Sequence, residues 1–161
     1  MAFDVSTLVT DRTQQDVIYA KQLIEKLVTG TATDAEKAEW NSLTIKGVYN
    51  HTDMNRVGAA VEYVAMRLLE CGISVDVLPK YDWSESDTPT VSQMERYLSD
   101  VATLRNALAA MPTTPQVPVT MSNLTWSEAN AIEKILQDTD VLISNMKASW
   151  FFSGDLFSGE V

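Results

Sequence analysis

Cysteine and histidine are nearly missing from this chain, and so is positive charge. The single cysteine, Cys71, cannot form an intramolecular disulfide or supply a cysteine-based metal site. The single histidine, His51, must serve a Ser-His-Asp triad, a Cys-His pair or a two-histidine metal site alone, or leave it unbuilt. Only 12 Lys and Arg stand against 22 Asp and Glu, a net charge of -10 with no basic block to offset it. Binding to phosphate needs a positive footprint, so no nucleic acid is expected as a partner, and docking on anionic lipid is disfavoured for the same reason. No apolar run approaches the ~20 residues of a membrane span. Met1-Ala2-Phe3-Asp4 lacks the basic start and apolar run of a signal peptide. These absences predict a protein made in a reducing cytoplasm without a signal peptide and without membrane insertion.

What is present suits a folded, helical protein. The 161 residues fit one domain, 1–161, and 45% of them are apolar. Val17, Ala20, Ile24, Leu27 and Val28 follow helical spacing over about 13–29, with Gly30 as the stop. Thr33-Asp34-Ala35-Glu36 is a capping box that opens a short helix ending near Leu43. Met54, Val57, Gly58, Val61, Val64, Ala65, Leu68 and Leu69 hold one apolar face from about Thr52 to Cys71, and Gly58 on that face predicts close approach by a neighbouring helix. Ile73 to Val77 switches to period two, which predicts a short strand, and 80–89 reads as an acidic loop around Trp83. A fourth helix is predicted over about 89–111, with Thr90 and Gln93 as its capping box. The prolines at 112, 115 and 118 then enforce an extended connection. Thr125 and Glu128 open a last helix toward Trp150. The expected fold is mostly α: a bundle of four to five helices, with room for a small two-stranded β element.

Candidate chemistry is sparse. His51 reads as a residue beside an N-cap and Cys71 as a small buried hydrophobe. Asp82, Glu85 and Asp87 lack the glycine turn and distal glutamate of a calcium loop. Gly154 and Gly159 lack the lysine and following helix of a phosphate loop. Neither a metal nor a cofactor is therefore expected. Trp40, Tyr81 and Trp83 are candidate sugar-stacking residues, although tryptophans at helix ends more often seal a core.

The C-terminal stretch is the most unusual. Phe152-Ser153-Gly154-Asp155-Leu156 is repeated in type by Phe157-Ser158-Gly159-Glu160-Val161, directly after Trp150 and Phe151. An apolar tail of this kind must pack on its own domain or on a neighbour. Trp150, Phe151, Phe152, Leu156 and Phe157 are the candidate interaction residues, with the glycines read as hinges of an extended segment.

Taken together, the strings 8–17 (LVTDRTQQDV), 33–40 (TDAEKAEW) and 46–61 (KGVYNHTDMNRVGAAV), with the aromatic Ser-Gly-acid tail, resemble a helical module of bacteriophages and prophages of Firmicutes. In that group it is similar to a segment of tail, baseplate or fibre-associated virion proteins. The resemblance spans about Leu8 to Val161 and carries no assigned activity or binding residue. It implies a non-enzymatic virion structural module whose partners are other virion proteins or further copies of itself. A glycan-binding host-attachment module is the alternative, and a cell-wall hydrolase with two facing carboxylates the third. Since no metal is expected, chelation should leave the thermal melting curve unchanged. A fall of more than about 5 °C would instead reveal a structural ion.

Overall fold

The structure is a computed structural model that describes residues 3–157, with side chains through residue 150. Five α-helices follow a 3-10 turn at Val5–Thr7: α1 (Gln14–Thr29), α2 (Asp34–Asn41), α3 (His51–Glu70), α4 (Val91–Ala107) and α5 (Trp126–Phe157). Local chemistry fixes every start. Capping boxes form at Thr13/Asp16, Thr33/Glu36, Asn50/Asp53 and Thr90/Gln93. Thr125 and Glu128 exchange the same bonds ahead of α5. Each box satisfies amides that the first helical turn leaves orphaned.

The paired positions along the chain give the topology. The connection after α3 runs back beside it, since Lys80 lies against Gly58 and Trp83 against Asn55. Gly58 is required there because a β-carbon would overlap the Lys80 carbonyl. The chain segment that approaches Gly58 is thus this return, rather than the neighbouring helix expected. α4 then starts near Tyr49, through the Tyr49–Tyr97 hydroxyl pair, and runs the same way as α3. A second return carries the three prolines back, held by Arg105 donating to the Pro115 carbonyl. Ion pairs link Arg56 to Glu133, Arg67 to Asp140 and Glu70 to Lys147, so α5 also runs parallel to α3.

The returns explain two corrections. Ile73, Val75 and Val77 do alternate with exposed Ser74 and Asp76, but they pack inward on the helices. An extended segment lying along a helix has no second strand to bond, so the described residues contain no β element. α4 stops at Ala107 rather than Met111, because Leu108 already takes an extended conformation as the chain turns into the proline return.

The main core lies where α3, α4 and α5 meet. Val57, Val64, Leu68, Val101, Leu104, Ile132, Ile135, Leu136 and Ile143 have no exposed surface. A smaller core joins Ala20 and Leu23 of α1 to Ile45, with Leu27, Trp40 and Val48 against it. The chain near Gly47 lies hard on α1, where a β-carbon would overlap the Asp16 carbonyl. This second core is narrow, so Ile24 and Val28, expected inward, are 41% and 82% exposed, and Leu23 takes the buried position. Leu69 is likewise exposed rather than inward. α2 ends at Asn41 instead of near Leu43, which takes a positive φ of 58°. Among the described residues no helix is long and apolar enough to cross a membrane.

Leu68→Ala should cost ~2–5 kcal/mol, as large-to-small changes in a packed interior do. Urea denaturation measures this, and an unchanged midpoint would mean that α3 presents another face to the core.

Candidate functional site

Two features stand apart from ordinary packing. The first is a buried set of four charges. Arg12 donates to Glu133 Oε1 at 2.7 Å and to Asp53 Oδ1 at 2.9 Å. Arg56 binds both oxygens of Glu133, at 2.9 and 2.8 Å, and pairs with Asp53 as well. The Val9 N–H donates to Glu133 Oε2, and the Asn50 N–H to Asp53 Oδ2. All four carboxylate oxygens are therefore occupied, and two positive charges balance two negative ones. Glu133 is wholly buried, with Arg12 and Asp53 nearly so. Asn130 completes the cluster by exchanging two hydrogen bonds with the Arg12 backbone.

The electrostatics follow from this geometry. Burial works against the charge of Arg56, but the Glu133 and Asp53 carboxylates outweigh it and hold its pKa above the ordinary value. Burial pushes the Tyr49 and Tyr97 phenols well up, so each stays protonated. The Arg12 guanidinium sits 5.4 Å over the Tyr49 ring. The hydrolase reading needs two carboxylates facing an open cleft. Asp53 and Glu133 converge, but both are closed off and saturated by arginine, an arrangement that holds elements in register.

The second feature is a cavity of about 220 Å3 beneath the first return, lined by Gly58, Val61, Leu78, Pro79, Trp83 and Tyr97, with Lys80, Gln93, Arg96 and Asp100 also at its wall. Three pins hold its roof. Asn55 donates to the Trp83 carbonyl and accepts from the Trp83 N–H, Gly58 admits the Lys80 carbonyl, and Asp100 accepts from the Leu78 N–H. Burial raises the Asp100 carboxyl above its ordinary pKa, against the lowering effect of the Leu78 amide and Arg96.

The candidate residues named from sequence fall in different places. Trp83 is 5% exposed, with the Lys80 ammonium 4.6 Å over its ring, so it presents no open stacking face. Tyr81 is half exposed beside it. Trp40 packs on the smaller core and lines a separate cavity of about 170 Å3 with His51 and Glu85. The three aromatics are not gathered into one groove. Trp150 is 52% exposed on α5. Phe151, Phe152, Leu156 and Phe157 lie in the last turns of α5, and their side chains are outside the described residues, as are residues 158–161 altogether. The backbone of 151–157 is helical, where an extended tail hinged at Gly154 was expected. Among the described residues, no group of three metal-ligating side chains comes together.

No family model, curated protein or solved structure matches the chain. The charge cluster could not be read from sequence, because its members are separated by up to 121 residues. The one local signal was Asn50-x-x-Asp53, a capping box built with Asp in place of Glu.

Arg12→Met leaves two buried carboxylates facing one arginine. Such an uncompensated charge should cost ~3–5 kcal/mol, read as a shift of the urea midpoint. A loss below about 1 kcal/mol would place the cluster among solvated ion pairs.

Proposed function

We propose that the protein is a non-enzymatic interaction module of a bacteriophage or prophage virion, tail-associated, docking through the C-terminal turns of α5. One observation carries the docking part of this reading. Lys147 is level with Glu70, the last residue of α3, through their ion pair, yet α5 continues to Phe157. Residues 148–157 therefore outrun α3 by about 15 Å at ~1.5 Å per residue. The last fully buried side chain described on α5 is Ile143, before this overhang begins.

An overhang composed as Ala-Ser-Trp-Phe-Phe-Ser-Gly-Asp-Leu-Phe is too apolar to favour water, and an apolar helical segment is suited to a groove on a partner or on a second copy. The phage setting rests on the resemblance of the sequence strings given above. Two of those strings, 8–17 and 46–61, supply Arg12, Asp53 and Arg56 to the charge cluster, which gives their residue types a physical purpose. The net charge of -10 is consistent with protein partners rather than nucleic acid.

A chain ending at Trp150 should stay helical and keep its melting temperature while losing self-association, measured by circular dichroism and light scattering. Burial of Phe152, Leu156 and Phe157 would contribute roughly 1.5–3 kcal/mol per side chain before ordering costs. If truncation instead collapses the melting temperature and leaves association untouched, the segment is a strap on its own domain and the docking reading fails.

A further inference from the structure

We propose that the apolar end of α5 docks on a second copy of this chain, in a groove at the opposite end of the bundle, so that copies associate head to tail. The proposal rests on the docking reading above and names its partner. The groove, of about 620 Å3, is lined by Val91, Met94 and Leu98 on the first half of α4 and by Val119, Met121 and Leu124 on the stretch before α5. It therefore lies where α4 and α5 begin, whereas the overhang leaves where α5 ends. Leu98 is buried, while Val119 and Val91 are 97% and 76% exposed. Among the described residues, these are two of the three most exposed large apolar side chains. One exposed apolar residue is ordinary, but two that line the same groove mark an interaction surface.

Geometry excludes the chain's own overhang as the occupant. From Trp126 to Lys147, α5 rises roughly 30 Å at ~1.5 Å per residue. Residues 148–157 continue that helix away from the groove, so only another copy can present them to it. Size and charge match. An apolar cavity of roughly 150 Å3 accepts benzene, so about 620 Å3 has room for roughly three or four side chains of that bulk. The overhang brings Phe152, Leu156 and Phe157, and the first two have the spacing that sets two positions on one face of a helix. Asp155 is the one charge in 148–157, and Glu95 is the one charged residue lining the groove. Both are acidic, so the contact is apolar rather than ionic. Each copy carries one groove and one overhang, and filling either leaves the other free. Such a contact is heterologous, and it repeats until it closes into a ring or continues as a chain.

The test uses full-length chains with one surface changed at a time. Val91→Asp with Val119→Asp alters the groove, and Phe152→Asp with Leu156→Asp alters the overhang. Light scattering and sedimentation velocity read the mass, and circular dichroism shows that each variant is folded; Val119→Asp alone replaces the groove pair if that pair misfolds. The wild-type chain should grow in mass beyond a dimer as its concentration rises. Each variant alone should stay monomeric, its self-association weakened roughly tenfold or more, because a carboxylate would be buried without a partner. Mixed in equal amounts, the two variants should form a complex of one copy each that grows no further, since one keeps a working groove and the other a working overhang. A wild-type chain that stays monomeric at every concentration overturns the proposal and leaves docking to a partner of another kind. A groove variant that assembles like the wild type also overturns it; if the overhang variant is then monomeric, the overhang docks elsewhere and the docking reading stands. Monomeric variants that form no complex on mixing overturn it as well. An overhang variant that assembles like the wild type sinks both readings.

Discussion

One buried carboxylate, Glu133, sets the register between the N-terminal segment, α3 and α5. It accepts from the Val9 amide in the N-terminal segment, from Arg12 three residues later, and from Arg56 on α3, while itself riding on α5. Three parts of the molecule, far apart in sequence, thus meet at two oxygen atoms. Buried ion pairs are weak as a source of net stability, because desolvation cancels most of the attraction, but a misaligned one is expensive. The geometry penalises wrong registers more than it rewards the right one. Asp53 extends that penalty to the start of a helix: one of its oxygens caps α3 through the Asn50 amide and the other accepts from Arg12 and Arg56. Local and tertiary structure are coupled through a single side chain.

Once the N-terminal segment is anchored, the smaller core has a fixed place to form. Arg12 precedes α1 directly, and Trp126 at the head of α5 donates to Gln14 on the first turn of α1. Lys46 pairs with Asp11 and Gly47 presses on Asp16, closing the path from α2 back toward α3. α1 and α2 bury few residues of their own, so their position depends on these polar contacts more than on apolar area. That is why the helical spacing of α1 overstates its buried face.

The helices were legible because their signals are local. Thr33, Thr90 and Thr125 announce their boxes within four residues, and the α3 face repeats over five turns. Thr13/Asp16 and Asn50/Asp53 were missed because Asp replaces the usual Glu or Gln, although the shorter carboxylate closes the same pair of bonds. The alternation of 73–77 marks which side is buried, but the short strand it predicts does not form. Its partner was not legible, because period two reports which side is buried and says nothing of whether a strand or a helix lies there. Gly58 announced a close approach, but what approaches is the Lys80 carbonyl, fixed by tertiary path alone. The cavity depends on that path and had no local signature beyond the tryptophan itself.

Running three helices in parallel carries an electrostatic cost that the sequence offsets only in part. Parallel axes place the positive N-terminal poles of α3, α4 and α5 side by side, each opposing the next. Asp53 and Glu128 stand in the first turns of α3 and α5, but α4 has no acidic residue in its first turn, and Asp53 is shared with Arg12 and Arg56. Each favourable carboxylate in a first turn contributes ~0.3–1 kcal/mol, an offset confined to α3 and α5. At the other end Arg105 stands in the last turn of α4. Arg67 and Lys147 supply positive charge near the close of α3, and both are committed to pairs with Asp140 and Glu70. Extending α5 past the end of α3 moves its negative pole away from that of α3, so the overhang separates two like poles that the parallel arrangement would otherwise set side by side.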